Sequence, residues 1–223
     1  MQDAIAGFQT APLWAQIAMA LFAFMVAVSI VEPFVRDLKF RRQFNAIARA
    51  LGQEPPSGRG WPVTMPISVD GRVFEVRHDR RSRSKGSSYR GPTGHLLVTA
   101  TRLAGTKWPM HQVDVRRQDT VFSRLLRGML RPTGDPEFDA RFLVIEDGQA
   151  VRDGWLDEAT RAQFEEFFDQ TPVQGDIWTR DGELLFTMPE PWKGVDGQVM
   201  RSLLERQAAL ASTLEQRAGE RSS

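Results

Sequence analysis

The chain has no cysteine. That excludes thiolate zinc sites, iron–sulfur clusters, cysteine nucleophiles and disulfides, and it agrees with a reducing compartment. Histidine is scarce, with three residues, and none stands in a His-x-x-x-His or His-Glu-x-x-His spacing, so no zinc enzyme is suggested. There is no Gly-x-Ser-x-Gly elbow, no phosphate-cradling glycine loop ending in Lys-Ser/Thr, and no dinucleotide fingerprint. The net charge is +1, so no global field draws the chain to nucleic acid. These gaps point away from an enzyme, and no cofactor is expected.

Charge is also missing from one long stretch. From Ala4 to Val31 no residue is ionisable, and Leu13 to Val31 is apolar apart from Gln16 and Ser29. About 20 helical residues span the roughly 30 Å hydrocarbon core of a bilayer, so this run has the length of a transmembrane helix. Pro12 suits its first turn, and Trp14 suits the headgroup layer. A signal peptide would need a positive segment ahead of the apolar one, and a buried soluble helix would show a polar face. Neither is present.

Arg36, Lys39, Arg41 and Arg42 follow the run, whereas Asp3 is the only side-chain charge before it. The positive-inside rule then predicts an outer N-terminus and a cytoplasmic C-terminal domain, with the basic cluster placed to meet anionic headgroups.

The remaining residues, about 170, suffice for one domain with its own core. Phe34 to Leu51 has apolar residues at helical spacing, continuing from or kinked against the span at Pro33 and ended by Gly52. Glu54 to Gly60 reads as a linker. Asp70-Gly71 and Asp181-Gly182 each sit between alternating apolar runs, the pattern of a type I′ hairpin. His95 to Arg102 and Phe138 to Glu146 read as further strands. Phe122 to Met129, Leu156 to Phe168 and Val195 to Arg217 read as helices. The expected fold class is α+β: a single N-terminal transmembrane helix, then a mainly antiparallel sheet domain with packed helices. The expected divisions are an anchor over 1–35, a juxtamembrane helix and linker over 36–60, the domain over 61–218, and a frayed tail over 219–223.

Three features invite a functional reading. The stretch from Arg77 to Arg90 contains Arg77, Arg80, Arg81, Arg83, Lys85 and Arg90, a candidate basic loop for anionic lipid or an acidic partner. Its Ser/Gly content equally describes a solvated loop, and without an RNA-binding motif nucleic acid is not the expected partner. Asp135, Glu137 and Asp139 alternate, so in a strand they would share a face and could converge on a hard cation; a turn launching the strand is the simpler reading. Trp192, in Pro189-Glu190-Pro191-Trp192-Lys193, is expected at the surface, with the other domain tryptophans in the core. The final amphipathic helix either packs on its own sheet or offers itself to a partner.

The segment from Thr133 to Asp139, then Arg141 to Val144, a helix, and the hairpin at Asp181-Gly182 resembles a group of uncharacterised bacterial membrane-anchored proteins. In these an N-terminal hydrophobic anchor precedes a small cytoplasmic α+β domain. The likeness covers about the last 90 residues. It implies a bacterial source, hence the inner membrane, and this order of elements, and brings no catalytic residues. The expected role is that of a non-catalytic accessory or assembly factor bound to another membrane protein or complex. An anionic-lipid or envelope sensor is the alternative, and a membrane-tethered metal-dependent hydrolase the third.

Overall fold

The computed structural model describes residues 12–56, 62–80, 95–104, 113–117, 132–146, 156–171, 173–180, 182–192 and 194–220. They form two compact units, divided between Gln43 and Phe44.

The first unit is the greater part of helix α1, Leu13–Ala50, which runs through Pro33 without a break. At about 1.5 Å per residue its 38 residues extend for about 57 Å. Phe22, Phe24 and Phe34 are 66%, 67% and 71% exposed. The helix is long and apolar enough to cross a membrane.

The second unit is an α+β domain. Its strands are β1 (Val63–Val69), β2 (Arg72–Arg80), β3 (His95–Arg102), β4 (Val113–Arg117), β5 (Phe142–Glu146), β6 (Asp176–Arg180) and β7 (Glu183–Pro189). They make one sheet in the order β1-β2-β3-β7-β6-β4-β5, and every neighbouring pair is antiparallel. The first hairpin turns where expected, with Asp70 at φ 50° and Gly71 at φ 76°, the positive values that a type I′ turn demands. β1 alternates buried Val63, Met65 and Ile67 with exposed Thr64, Pro66 and Ser68, so one face of the sheet is the core face.

Helices α2 (Pro136–Arg141), α3 (Glu158–Gln170) and α4 (Gly197–Glu220) complete the domain. On α3, Phe164, Phe167 and Phe168 are buried; Phe167 meets Phe186 of β7 at 5.6 Å between ring centroids, and Phe168 meets Phe142 of β5 at 5.3 Å. On α4, Met200, Leu203, Leu204, Leu210, Ala211 and Leu214 are buried. Gln207, fully buried among them, donates to the carbonyls of Leu184 (3.0 Å) and Thr99 (3.3 Å) and accepts from the Thr99 hydroxyl. One amide thus ties α4 to β3 and β7. The opposite face of the sheet carries a smaller cluster of Leu96, Val98, Ala100 and Leu185, with Trp178 packed against it.

Several expectations need correction. Phe138 to Glu146 is not one strand: its first part is α2, because Asp135 caps the helix and Pro136 supplies a first-turn residue with φ already set. β4 had no forecast, since Val-Asp-Val-Arg-Arg carries too short an alternation to stand out. The last two turns of α1 belong to the domain unit. Phe44, Ile47, Ala48 and Leu51, in or just after the last turns of α1, are buried in the second unit. Gly52, at φ 74°, ends that helix as the sequence indicates, with the Gln53 N–H returning to the Ala48 carbonyl at 2.9 Å. Trp192 is not at the surface but 2% exposed, and Glu190–Pro191 is a cis peptide. The helix expected over Phe122 to Met129 lies outside the described residues, as do Trp61, Trp108 and Trp155.

The start of α4 lies hard against the end of α1. A Cβ at Gly197 would fall 2.2 Å from the Ala50 Cβ, so only glycine allows this approach. Gly197→Ala should therefore destabilise the domain by roughly 1–3 kcal/mol, despite alanine's better helix propensity. Thermal unfolding of the full chain in detergent measures it; an unchanged or raised Tm would contradict the close approach.

Candidate functional site

Two side-chain constellations and one stretch of α1 were candidates for function from the sequence. The first, Asp135, Glu137 and Asp139, does not lie along a strand. Asp135 precedes α2, and its Oδ1 accepts from the N–H groups of Glu137 (3.0 Å) and Phe138 (3.1 Å). Its Oδ2 accepts from Arg161 of α3 at 3.2 Å. Asp139 turns back and accepts from the Thr133 N–H (3.0 Å) and hydroxyl (2.9 Å), and from the Gly134 N–H. These carboxylates therefore close a capping turn. The Phe138 N–H, with the Glu137 N–H and the Arg161 guanidinium, holds the Asp135 carboxyl below its ordinary value despite some burial. Among the described residues no group of three or more His, Asp or Glu side chains is placed to hold a metal ion.

The second constellation is the basic stretch. Arg77 and Arg80 belong to β2 rather than to a loop, and Arg77 is half-buried and 3.5 Å from the Glu75 carboxylate. Arg81, Arg83, Lys85 and Arg90 lie outside the described residues. No family model matches the chain, and no curated protein matches it.

The residues expected at a membrane interface sit on α1. Trp14 is 73% exposed near its start; Arg36, Lys39 and Arg42 are exposed and Arg41 half-buried after the apolar run. Basic residues thus flank the apolar segment on its C-terminal side only, within the described part of the helix.

The structure also reveals an arrangement the sequence did not announce. A groove of about 520 Å³ runs between the β1–β2 turn, the end of β3 and α4. Inside it Arg72 makes a two-pronged contact to Glu215, at 2.9 and 2.6 Å, and donates to the Arg102 carbonyl at 2.9 Å. Glu215 also accepts from the Ala104 N–H at 2.6 Å. Burial by itself pushes the Glu215 carboxyl up, but the hydrogen bonds from Arg72 and Ala104 outweigh it and leave the carboxyl below its ordinary value. Both side chains are less than one-fifth exposed, so this is a latch between the sheet and α4 rather than a surface pair. No spacing rule joins positions 72 and 215; only the fold does.

The described part of the domain thus spends its conspicuous acids on structure, and two consequences can be measured. Asp135→Ala should lower the Tm through the lost cap, and added Mg²⁺, Mn²⁺ or EDTA should leave the Tm of the parent chain unchanged. A cation-dependent Tm would show that these carboxylates hold metal after all. For Glu215, lowered from its ordinary 4.5, the contribution to stability is complete above that pH and is lost as the pH falls through the folded-state value. Glu215→Gln should lower stability by about 1–2 kcal/mol at pH 7 and by less at pH 4. An equal loss at both pH values would exclude an ionised latch.

Proposed function

We propose that this chain is a single-pass protein of the bacterial inner membrane, its N-terminus outside and its α+β domain in the cytoplasm. The domain binds another membrane protein and serves a membrane complex as a non-catalytic accessory or assembly factor. The observation that carries the reading is the exposed apolar surface of α1 with basic residues following it. Burying one Leu or Phe side chain yields roughly 1.5–3 kcal/mol, and more than ten large apolar side chains between Leu13 and Val35 are exposed. Such a surface is stable in hydrocarbon and not in water. Arg36, Lys39 and Arg42 then lie at headgroup level, where anionic lipid attracts them.

Several features support binding over catalysis. Of the acids singled out by sequence, Asp135 and Asp139 close a capping turn, and the groove beside α4 is occupied by the Arg72–Glu215 ion pair. The resemblance to anchored bacterial proteins supports the source and the order of anchor and domain. Confinement to the bilayer raises the effective concentration of a partner in the same membrane, so a modest affinity suffices.

Cross-linking in the native membrane, mild detergent extraction and mass spectrometry test the proposal. The expected result is a membrane protein recovered in fixed ratio with the chain, and still recovered when Leu13–Val35 is replaced by an unrelated apolar span. Recovery with lipid alone would refute the accessory role and favour headgroup sensing, checked by salt-dependent binding to anionic vesicles. Cleavage of the domain by protease added to intact spheroplasts would overturn the orientation.

A further inference from the structure

Two of the three histidines meet in the interior. His78 of β2 is fully buried and His95 of β3 is 4% exposed, although no sequence spacing pairs them. The register sets His78 opposite Leu97 and His95 opposite Arg80, so the two histidines are diagonal neighbours on the core face where the strands part. Nε2 of His78 lies 3.0 Å from Nδ1 of His95. The site is lined by rings: Trp192 packs against His78 at 4.7 Å with planes at 79°, and Phe44 of α1 lies 5.8 Å from it.

That contact needs one nitrogen protonated and the other bare. With both imidazoles neutral the proton between them forms an ordinary hydrogen bond. One additional proton on the pair leaves a donor facing an acceptor, so the contact survives. A second sets two N–H donors and two positive charges against each other at 3.0 Å, and the contact cannot stand. Unfolded imidazoles accept protons independently near pH 6.5. The unfolded chain therefore takes up two protons where the intact pair accommodates one.

Arg80 stands opposite His95 in the register. Arg77 and Asp79 flank His78 on β2 and, by strand alternation, point to the other face. β1 offers Val63 opposite His78, and β3 offers Leu97 and Thr99. After β7, Glu190 is half-buried and its N–H donates to the His95 carbonyl at 3.1 Å. Asp196 is engaged as the cap of α4, accepting from the Val199 N–H at 2.8 Å.

We propose that His78 and His95 are a proton-operated clasp between β2 and β3, which holds with one proton shared and opens when both imidazoles are cationic. Because the unfolded chain binds more protons than the clasped one, stability is complete above about pH 6.5 and falls as the pH drops below it. This is a different window from that of Glu215, which opens only below 4.5.

The test uses the full chain in detergent micelles. Thermal unfolding between pH 7.5 and 5.5 is compared for the parent and for His95→Gln, whose amide hydrogen-bonds His78 without taking a proton. A tenfold shift in the folding equilibrium moves Tm by about 3–6 °C at this domain size, and the parent is expected to lose that much more than the variant. Ring-nitrogen ¹H–¹⁵N spectra of the parent give an independent readout should the variant fail to fold. At pH 7.5 one facing nitrogen should be protonated and the other bare, and the two rings should titrate as a coupled pair. Parallel loss of Tm in both proteins, or two rings titrating independently, would overturn the clasp.

Discussion

Apolar surface cannot remain in water, and on α1 that constraint is met in two ways along one helix. From Leu13 to Val35 the large side chains are exposed, a surface suited to hydrocarbon. From Phe44 to Leu51 the apolar residues are spaced as a stripe and buried against their own domain. The change of environment leaves its mark in composition. Arg36, Lys39, Arg41 and Arg42 fall between the two parts, where neither hydrocarbon nor a packed core would receive them. The domain core depends on the second part, because Phe44 and Ile47 are among its most deeply buried side chains, and the end of the same helix is what Gly197 approaches.

The rest of the domain is an antiparallel sheet held to its helices by few but well-satisfied polar contacts. Gln207 ties the middle of α4 to the sheet from within the core; the Arg72–Glu215 latch ties its C-terminal half at the margin. Each meets backbone groups as well as side chains, so neither leaves a buried donor or acceptor to be satisfied by solvent. By contrast, the exposed Arg141 contacts to Glu165 and Asp169 join half-solvated groups and add little. The same accounting bears on function. An acid already accepting two or three hydrogen bonds is a poor candidate for general acid–base work, and Asp135, Asp139 and Glu215 are all in that position.

Features governed by local chemistry were legible in the sequence. The Asp70-Gly71 hairpin, the Gly52 stop, the apolar span and the α+β class all follow from signals a few residues long. Where two local signals compete, the reading fails: Phe138 to Glu146 alternates like a strand, but Asp135-Pro136 ahead of it is a helix start, and the cap takes the first turn and a half. Trp192 fails for a different reason. Flanking prolines mark an ordered loop, yet nothing local says that the loop folds inward over β2. Contacts between distant positions, such as Arg72 with Glu215 and His78 with His95, carry no local signal and became visible only once the sheet order was known. The candidate basic stretch was legible as a charge pattern, but β2 extends through its first four residues and takes Arg77 to Arg80 into the ladder.

The histidine pair and helix α1 meet at one residue. Phe44 is the first residue of the domain unit on α1, and its ring lies against His78. If the two imidazoles are driven apart by a second proton, the ring packed on His78 loses its neighbour, and so does Trp192 on the other side. In a close-packed interior such a change does not stay with one pair, because contacts forfeited at one side chain are felt by those it touches. The element best placed to respond is the last part of α1, where Phe44, Ile47 and Ala48 are buried. The second proton is therefore coupled to the seating of Phe44 in the domain. That coupling is reciprocal: whatever strains the seating of Phe44 must also change how readily the pair takes up its second proton.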